Sequence, residues 1–289
     1  MLKLNKVHQG DCLEIMKKID NNSIDIIVTD PPWGVNFKNS KFYEDSKDHV
    51  LDIQEIWLTE MYRVLKDGCH LYLFIPTLEI DSWVYNVKKI FNFKNIIANQ
   101  VYVNNRHNKD NFGWDLQLIL FASKDKAKRF NKVDWIPASD SWVKDKRNDK
   151  PKEFTYKYPS FISNKIIRSN YKNGSVRKRL HPNEKNHELI EKFILMSSNE
   201  GDIVLEPFAG SFSTCLAAQN TKRKWIGIEL NKEYCEMGEI RLKSIFDPDI
   251  VEEDLKYIFQ RDKWEKEVLE MELDNKLTES INKMNDRID

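Results

Sequence analysis

The chain has 289 residues, a formal net charge of zero at pH 7, 32% charged and 40% hydrophobic residues, and four cysteines. That length suits one large α/β domain carrying an insertion better than two modest domains. Cys12, Cys69, Cys215 and Cys235 are scattered with no C-x-x-C pair, no apolar run approaches the ~18 residues of a membrane span, and the start, MLKLNKVHQGD, lacks a signal-peptide core, so a soluble, unexported, cytoplasmic protein without disulfide framework, metal site or membrane contact is expected.

In chain order, KLNKVHQ predicts a short strand ending at Gly10-Asp11, CLEIMKKI a helix by its apolar spacing, and DIIVT a buried strand. A polar loop through NFKNSKFYEDSKD leads to a helix over Leu51–Lys66, with Gly68 placed as its stop. HLYLFI is the next buried strand, residues 79–91 form a helix, and NIIANQVYV and DLQLILFA are two further strands. Periodicity fails from Lys124 to Leu180 and then resumes. HELIEKFILMSS reads as a helix, DIVLE a strand, STCLAAQN a helix, KWIGIEL a strand and NKEYCEMGEIRLKSI a helix. Repeated alternation of strand and helix predicts an α/β fold, a Rossmann-like, doubly wound, mostly parallel sheet.

The zero net charge conceals segregation. Residues 124–180 hold 17 Lys/Arg against 6 Asp/Glu, while the tail 246–289 holds 7 basic and 14 acidic residues. The basic stretch also carries Phe130, Trp135, Trp142, Phe154, Tyr156, Tyr158, Phe161 and Tyr171, which suits a polyanion with stackable faces, a nucleic acid; a solvated basic loop region is the competing reading. In the tail, Leu277, Ile281, Met284 and Ile288 form a 4-3-4 stripe, either a dimer seam or a stripe packed on its own domain. The organisation expected is a discontinuous domain of residues 1–123 and 181–245, an insert 124–180 and a charged helical tail 246–289.

In such sheets ligands bind beyond the carboxyl ends of the strands, so the loops that follow strands concentrate function. After DIVLE, the small residues Ala209-Gly210-Ser211 let backbone N–H groups approach a ligand, and Glu229, about 20 residues on, is where a carboxylate accepts ribose hydroxyls. A nucleoside-cofactor site fits that pair, as does a plain turn with a chance acid. After DIIVT comes Asp30-Pro31-Pro32-Trp33. The prolines stiffen the turn and present carbonyls without competing donors. A carboxylate and a carbonyl held apart match the two hydrogens of an exocyclic amine, and Trp33 offers a stacking face. The alternative is a strand cap followed by a tight turn with a packed tryptophan.

Taken in order, HQGDCLEIMKKIDNNSIDIIVTDPPWG, MYRVLKDGCHLYLF, LQLILFASK, HPNEKNHELIEKFI, GDIVLEPFAGSFST and KWIGIELNKEYCE resemble the S-adenosylmethionine-dependent amino-methyltransferases of DNA, in the permuted group whose D-P-P-[YFW] motif precedes F-x-G-x-G. The resemblance implies a class I methyltransferase fold and assigns roles. Asp30 and the Pro31 carbonyl would accept from the target amine, with Pro32 stiffening the turn and Trp33 stacking on the base. Phe208, Ala209, Gly210 and Ser211 would line the cofactor, Glu229 would hold its ribose, Asp11 would meet its adenine, and Asp30 borders it. His181 and Lys185 would border its carboxylate, unless HPNEK is only a helix-entry turn.

The resemblance further implies S-adenosylmethionine as cofactor, no metal, and duplex DNA as partner, with the target base flipped into the pocket at ~a few kcal/mol. Asp as first motif residue favours adenine N6; cytosine N4, RNA adenine, or a silent nucleic-acid-binding paralogue are the alternatives. The insert would be the target-recognition region and Val35–Val50 a loop that closes over the base. A cognate restriction endonuclease is a candidate partner and a homodimer a candidate assembly. Three departures stand out: Glu206 replaces the usual aspartate, Asn186 the usual proline, and Phe212 the second glycine of GSG. Phenylalanine adopts positive φ only at a cost, so an ordinary backbone is expected at 212.

Overall fold

The computed structural model describes residues 2–34, 46–100, 116–127, 130–131, 133, 161–162 and 185–243. Met1–Cys235 form one compact unit and Glu236–Asp289 a second, of which only residues 236–243 are described. His181, most of the basic insert, residues 35–45 of the proposed closing loop and the stripe of the tail lie outside the described residues.

The strands are β1 (Lys6–Gln9), β2 (Ile24–Thr29), β3 (Leu65–Ile75), β4 (Asn92–Gln100), β5 (Leu116–Ser123), β6 (Phe161–Ile162), β7 (Ile203–Glu206) and β8 (Lys224–Glu229). The described helices are α1 (Cys12–Met16), α2 (Lys47–Val64), α3 (Ile80–Ile90), α4 (His187–Ser197), α5 (Ser213–Asn220) and α6 (Lys232–Lys243). Among the described residues one eight-stranded sheet has the order β1-β8-β7-β2-β3-β5-β4-β6. Its pairs are parallel except β3–β5 and β4–β5, so β5 runs antiparallel into the gap that the β3–α3–β4 crossover leaves open. The mostly parallel α/β sheet expected from the sequence is the fold observed.

β2 shows why the sheet is covered on both faces, since every residue of IDIIVT is buried. Along β3, Leu71, Leu73 and Ile75 join the cluster made with Trp57, Leu58 and Met61 of α2. Tyr72, of opposite parity, stacks on Phe193 of α4 at 4.5 Å and bonds the Ser197 hydroxyl at 2.8 Å. Side chains cap the helices that begin nearest the strand ends: Asp11 accepts from Glu14 N, Asn186 from Glu188 N and Asn231 from Glu233 N. Asn186 thus has a local role in place of the proline that the resemblance would put there.

One boundary differs from expectation. The helix starts at Lys47 and ends at Val64, and the chain passes directly into β3 at Leu65. Gly68 lies inside that strand with φ +79°, its N–H donating to Lys124 O at 2.7 Å, so it serves a strand irregularity and not a helix stop. Local pattern misleads here because Val64-Leu65-Lys66 continues the apolar spacing of a helix, while pairing with β2 decides the backbone.

Arg63 ties α2 to the end of α1. Its guanidinium donates to Met16 O (2.8 Å), Ile19 O (2.9 Å) and Asn21 Oδ1 (2.6 Å), adding charged donors to the turn that follows α1. Arg63→Ala is expected to cost about 2 kcal/mol of stability, measured by denaturant unfolding.

Candidate functional site

Parallel strands β2 and β7 lie side by side with Ile26 opposite Val204 and Ile27 opposite Leu205. From β2 the chain goes on to β3 on one side, and from β7 to β8 on the other. That divergence is the topological switch point where ligands enter a doubly wound sheet. Two loops leave the same end there, Asp30–Gly34 after β2 and Pro207–Phe212 after β7. Both line one cavity, joined by Gly10–Cys12 after β1 and Glu229–Leu230 after β8.

Asp30 has an 18% exposed side chain and is engaged through both oxygens. Oδ1 accepts from Trp33 Nε1 at 3.0 Å, and Oδ2 pairs with the ammonium of Lys185. Lys185, itself 10% exposed, lies 4.9 Å from the Trp33 ring centroid and 5.7 Å from that of Phe74, a cation held against two aromatic faces. Burial pushes the Asp30 carboxyl above its ordinary value, with Lys185 and Trp33 pulling it back. Lys185, which the resemblance puts at the cofactor's carboxylate, is thus brought to the Asp30–Trp33 turn.

Glu229 accepts from Gly210 N (Oε2, 2.8 Å) and Asn231 N (Oε1, 2.8 Å). Burial raises its carboxyl above the ordinary range, while those two N–H groups and that of Leu230 oppose the rise. The N–H of Ala209 donates to Ile228 O at 2.8 Å. The N–H groups of Ala209 and Gly210 are therefore consumed inside the protein, and the small residues serve by leaving space. Carboxylate oxygens accept more than one donor, so Glu229 keeps capacity toward the cavity. Phe208 closes the wall, its ring edge-on to Trp57 at 4.9 Å. Asp11 caps α1 at the cavity rim, and beside it burial drives the Cys12 thiol up to about 12, so Cys12 is inert at neutral pH.

Phe212 contradicts the expectation of an ordinary backbone. Its φ is +59° and ψ +26°, left-handed, at the N-cap of α5. The strain costs roughly 1–2 kcal/mol, and a fully buried phenylalanine ring returns about 1.5–3 kcal/mol. Space for the ring comes from Gly227 of β8, where an added Cβ would stand 3.0 Å from the ring and 2.6 Å from Cys215 Sγ.

The cavity also has a wall that sequence reasoning missed. His49, Ile53 and Trp57 line it from α2. Their i, i+4, i+8 spacing places them on one helical face, a signal available once the helix is started at Lys47. Tyr234 was missed in the same way, and it lines the cavity from the first turn of α6.

A family model for N6/N4 DNA methylases matches residues 24–240. The chain is 33% identical over 247 residues to the DNA adenine methyltransferase YhdJ of Escherichia coli K12, spanning 81% of each protein. It is 32% identical over 256 residues to the Type II methyltransferase M.BamHI of Bacillus amyloliquefaciens, spanning 83% of this chain and 57% of that one. Among solved structures, the M1.HpyAVI–SAM complex superposes with TM-score 0.56 at 26% identity, covering 82% of this chain and 99% of that chain. The cytosine-N4-specific PvuII DNA methyltransferase reaches TM-score 0.64 at 18% identity over 88% and 91% of the two chains, a likeness of fold alone.

Proposed function

This chain belongs to the N6/N4 DNA methylase family, and on that premise we propose that it transfers the methyl group of S-adenosylmethionine to the exocyclic N6 amine of adenine in duplex DNA. The observation that carries the reading is the convergence of the Asp30–Trp33 turn and the Phe208–Ser211 loop on one cavity at the switch point. Adenine is favoured over cytosine by Asp30 as first motif residue and by the similarity to YhdJ.

The cavity fits the cofactor: Glu229 offers a carboxylate for ribose hydroxyls, Phe208 an apolar wall, Gly210 and Ser211 room, and Asp11 an acid at the rim. When bound, S-adenosylmethionine supplies an electrophilic sulfonium methyl group. The protein's part is electrostatic and geometric. An exocyclic amine is a poor nucleophile because its lone pair is delocalised into the ring. Hydrogen bonds from its two protons to Asp30 and the Pro31 carbonyl favour a pyramidal nitrogen, and the same acceptors stand where positive charge develops. Trp33 stacks on the flipped base and Pro32 keeps the turn stiff. His181 is assigned with Lys185 to the cofactor's carboxylate end, and the basic insert 124–180 to phosphates and base edges.

In the structure Lys185 stands beside Asp30 and over Trp33, where the proposal puts the aminopurine. There its ammonium pairs with the Asp30 carboxylate. Lys185→Met removes the cation that holds the Asp30 carboxyl down, so the acid limb of turnover should move to higher pH, as read from initial rates between about pH 5 and pH 8.

Tritiated S-adenosylmethionine incubated with bacterial genomic DNA or total RNA, followed by mass spectrometry of the nucleosides, tests the function. N6-methyladenine in DNA is the expected product. N4-methylcytosine, label in RNA alone, or no label with cofactor bound would each overturn it.

A further inference from the structure

We propose that Glu206 is the positioning residue that fixes the separation between the Asp30 turn and the cofactor loop, by bracketing Thr29 on one side and Thr214 and the Phe208 N–H on the other. The proposal deepens the methyl-transfer reading and rests on it. Glu206 ends β7 and is 4% exposed. Its Oε1 accepts from Thr29 Oγ1 at 2.5 Å and from Phe208 N at 3.1 Å, and its Oε2 bonds Thr214 Oγ1 at 2.7 Å. Thr29 directly precedes Asp30; Phe208 belongs to the cofactor loop and Thr214 to the first turn of α5.

The pairing of β2 with β7 includes Ile27 opposite Leu205, just short of the point where the two loops leave the sheet. From there one side chain takes over from the ladder. In-line transfer depends on the distance between an amine held by one loop and a methyl group held by the other, and a misplacement of about 1 Å costs on the order of 10²-fold in rate. A bracket with both threonine hydroxyls buried in the core is suited to hold that distance.

The bracket works as a neutral acid. Burial, more than the nearby Asp30, pushes the Glu206 carboxyl up to about 8, against the pull of its three hydrogen bonds. Oε1 receives two donors, Thr29 Oγ1 and Phe208 N, while Oε2 receives one, Thr214 Oγ1, which leaves Oε2 as the oxygen with room for the proton. The titratable groups that line the same cavity are Asp30 with its partner Lys185, Asp11, Cys12, His49, Glu229 and Tyr234, and among them the charge of Asp30 raises the Glu206 carboxyl. Ionising Glu206 puts an uncompensated charge in a buried site near Asp30, and on the proposal that cost loosens the bracket between the two loops.

Two variants test the bracket. Thr29→Val keeps the shape and removes one hydroxyl. Its kcat on genomic DNA should fall about tenfold while calorimetric Kd for S-adenosylmethionine stays within about twofold. Wild-type turnover should drop about tenfold between about pH 7 and pH 9, and Glu206→Gln, which carries a permanent donor where the acid carries its proton, should lose that drop. Equal alkaline limbs in the two proteins, or kcat and Kd moving together in Thr29→Val, would overturn the proposal.

Should the wild type methylate nothing, the functional reading fails and the protonated bracket is still read by melting. A carboxyl whose pKa is raised in the folded state stabilises while protonated, so the wild-type Tm should fall relative to that of Glu206→Gln as pH rises from about 5 through 8. Parallel melting curves across that window would exclude it.

Discussion

Asp30→Ala is expected to lower kcat for methyl transfer by at least about 10³-fold, because on the proposed function it removes the acceptor aimed at the nitrogen where charge develops. Cofactor affinity should change far less, since Glu229 and the Phe208–Ser211 loop are left in place. Alanine also leaves the mostly buried Lys185 without its carboxylate, which costs about 3 kcal/mol of stability. Asp30→Asn keeps an acceptor for Trp33 Nε1 and the shape of the turn while it too removes the charge paired with Lys185, so its melting temperature reads the cost of that loss directly. If Asp30→Asn melts near the wild type and is still inactive, the loss is chemical; if turnover survives in either variant, the clamp is wrongly assigned. In the proposed mechanism the working form is the ionised carboxylate, and burial holds its pKa above the ordinary 3.8. Turnover must therefore decline as pH falls through that raised value, placing the acid limb above the range of an exposed aspartate.

The second large effect is on stability. Gly227→Ala puts a Cβ 2.6 Å from Cys215 Sγ and 3.0 Å from the Phe212 ring, in a strand paired on both sides, so no backbone shift relieves it cheaply. A loss of about 3 kcal/mol is expected from overpacking alone, measured by urea unfolding. Phe212→Gly relieves the left-handed strain, yet it should also destabilise, by about 2 kcal/mol net, since the lost ring outweighs the relaxed backbone. The two changes share one space, so the double variant should be less destabilised than the sum of the singles. Strict additivity would show that Phe212 and Gly227 do not compensate each other.

The Asp30–Trp33 turn, the Phe208–Ser211 loop and most elements were legible because their signals are local. Proline restricts φ wherever it stands, so Asp30-Pro31-Pro32-Trp33 announced a stiff turn after a buried strand. Apolar periodicity delimited STCLAAQN as the helix observed, Ser213–Asn220. The likeness of several motifs in order added the family, and the matched residues 24–240 agree with it. Gly68 and Phe212 were misread for one reason: the backbone there is decided by a neighbour distant in the chain, Lys124 for the first and Gly227 for the second.

By itself, then, the sequence determined where strands turn into loops, which of those loops to look for at one cavity, and that two prolines stiffen the turn between an acid and a tryptophan. Only the tertiary structure decided that Lys185 sits on Asp30, that Glu206 joins Thr29 to Thr214, that α2 supplies a wall of the cavity, and that β5 runs against its neighbours. The physical reason is range. Torsional preferences and amphipathic periods act over a few residues and are written in adjacent letters, whereas an ion pair or a buried hydrogen bond depends on distances that exist only after the chain has folded back on itself.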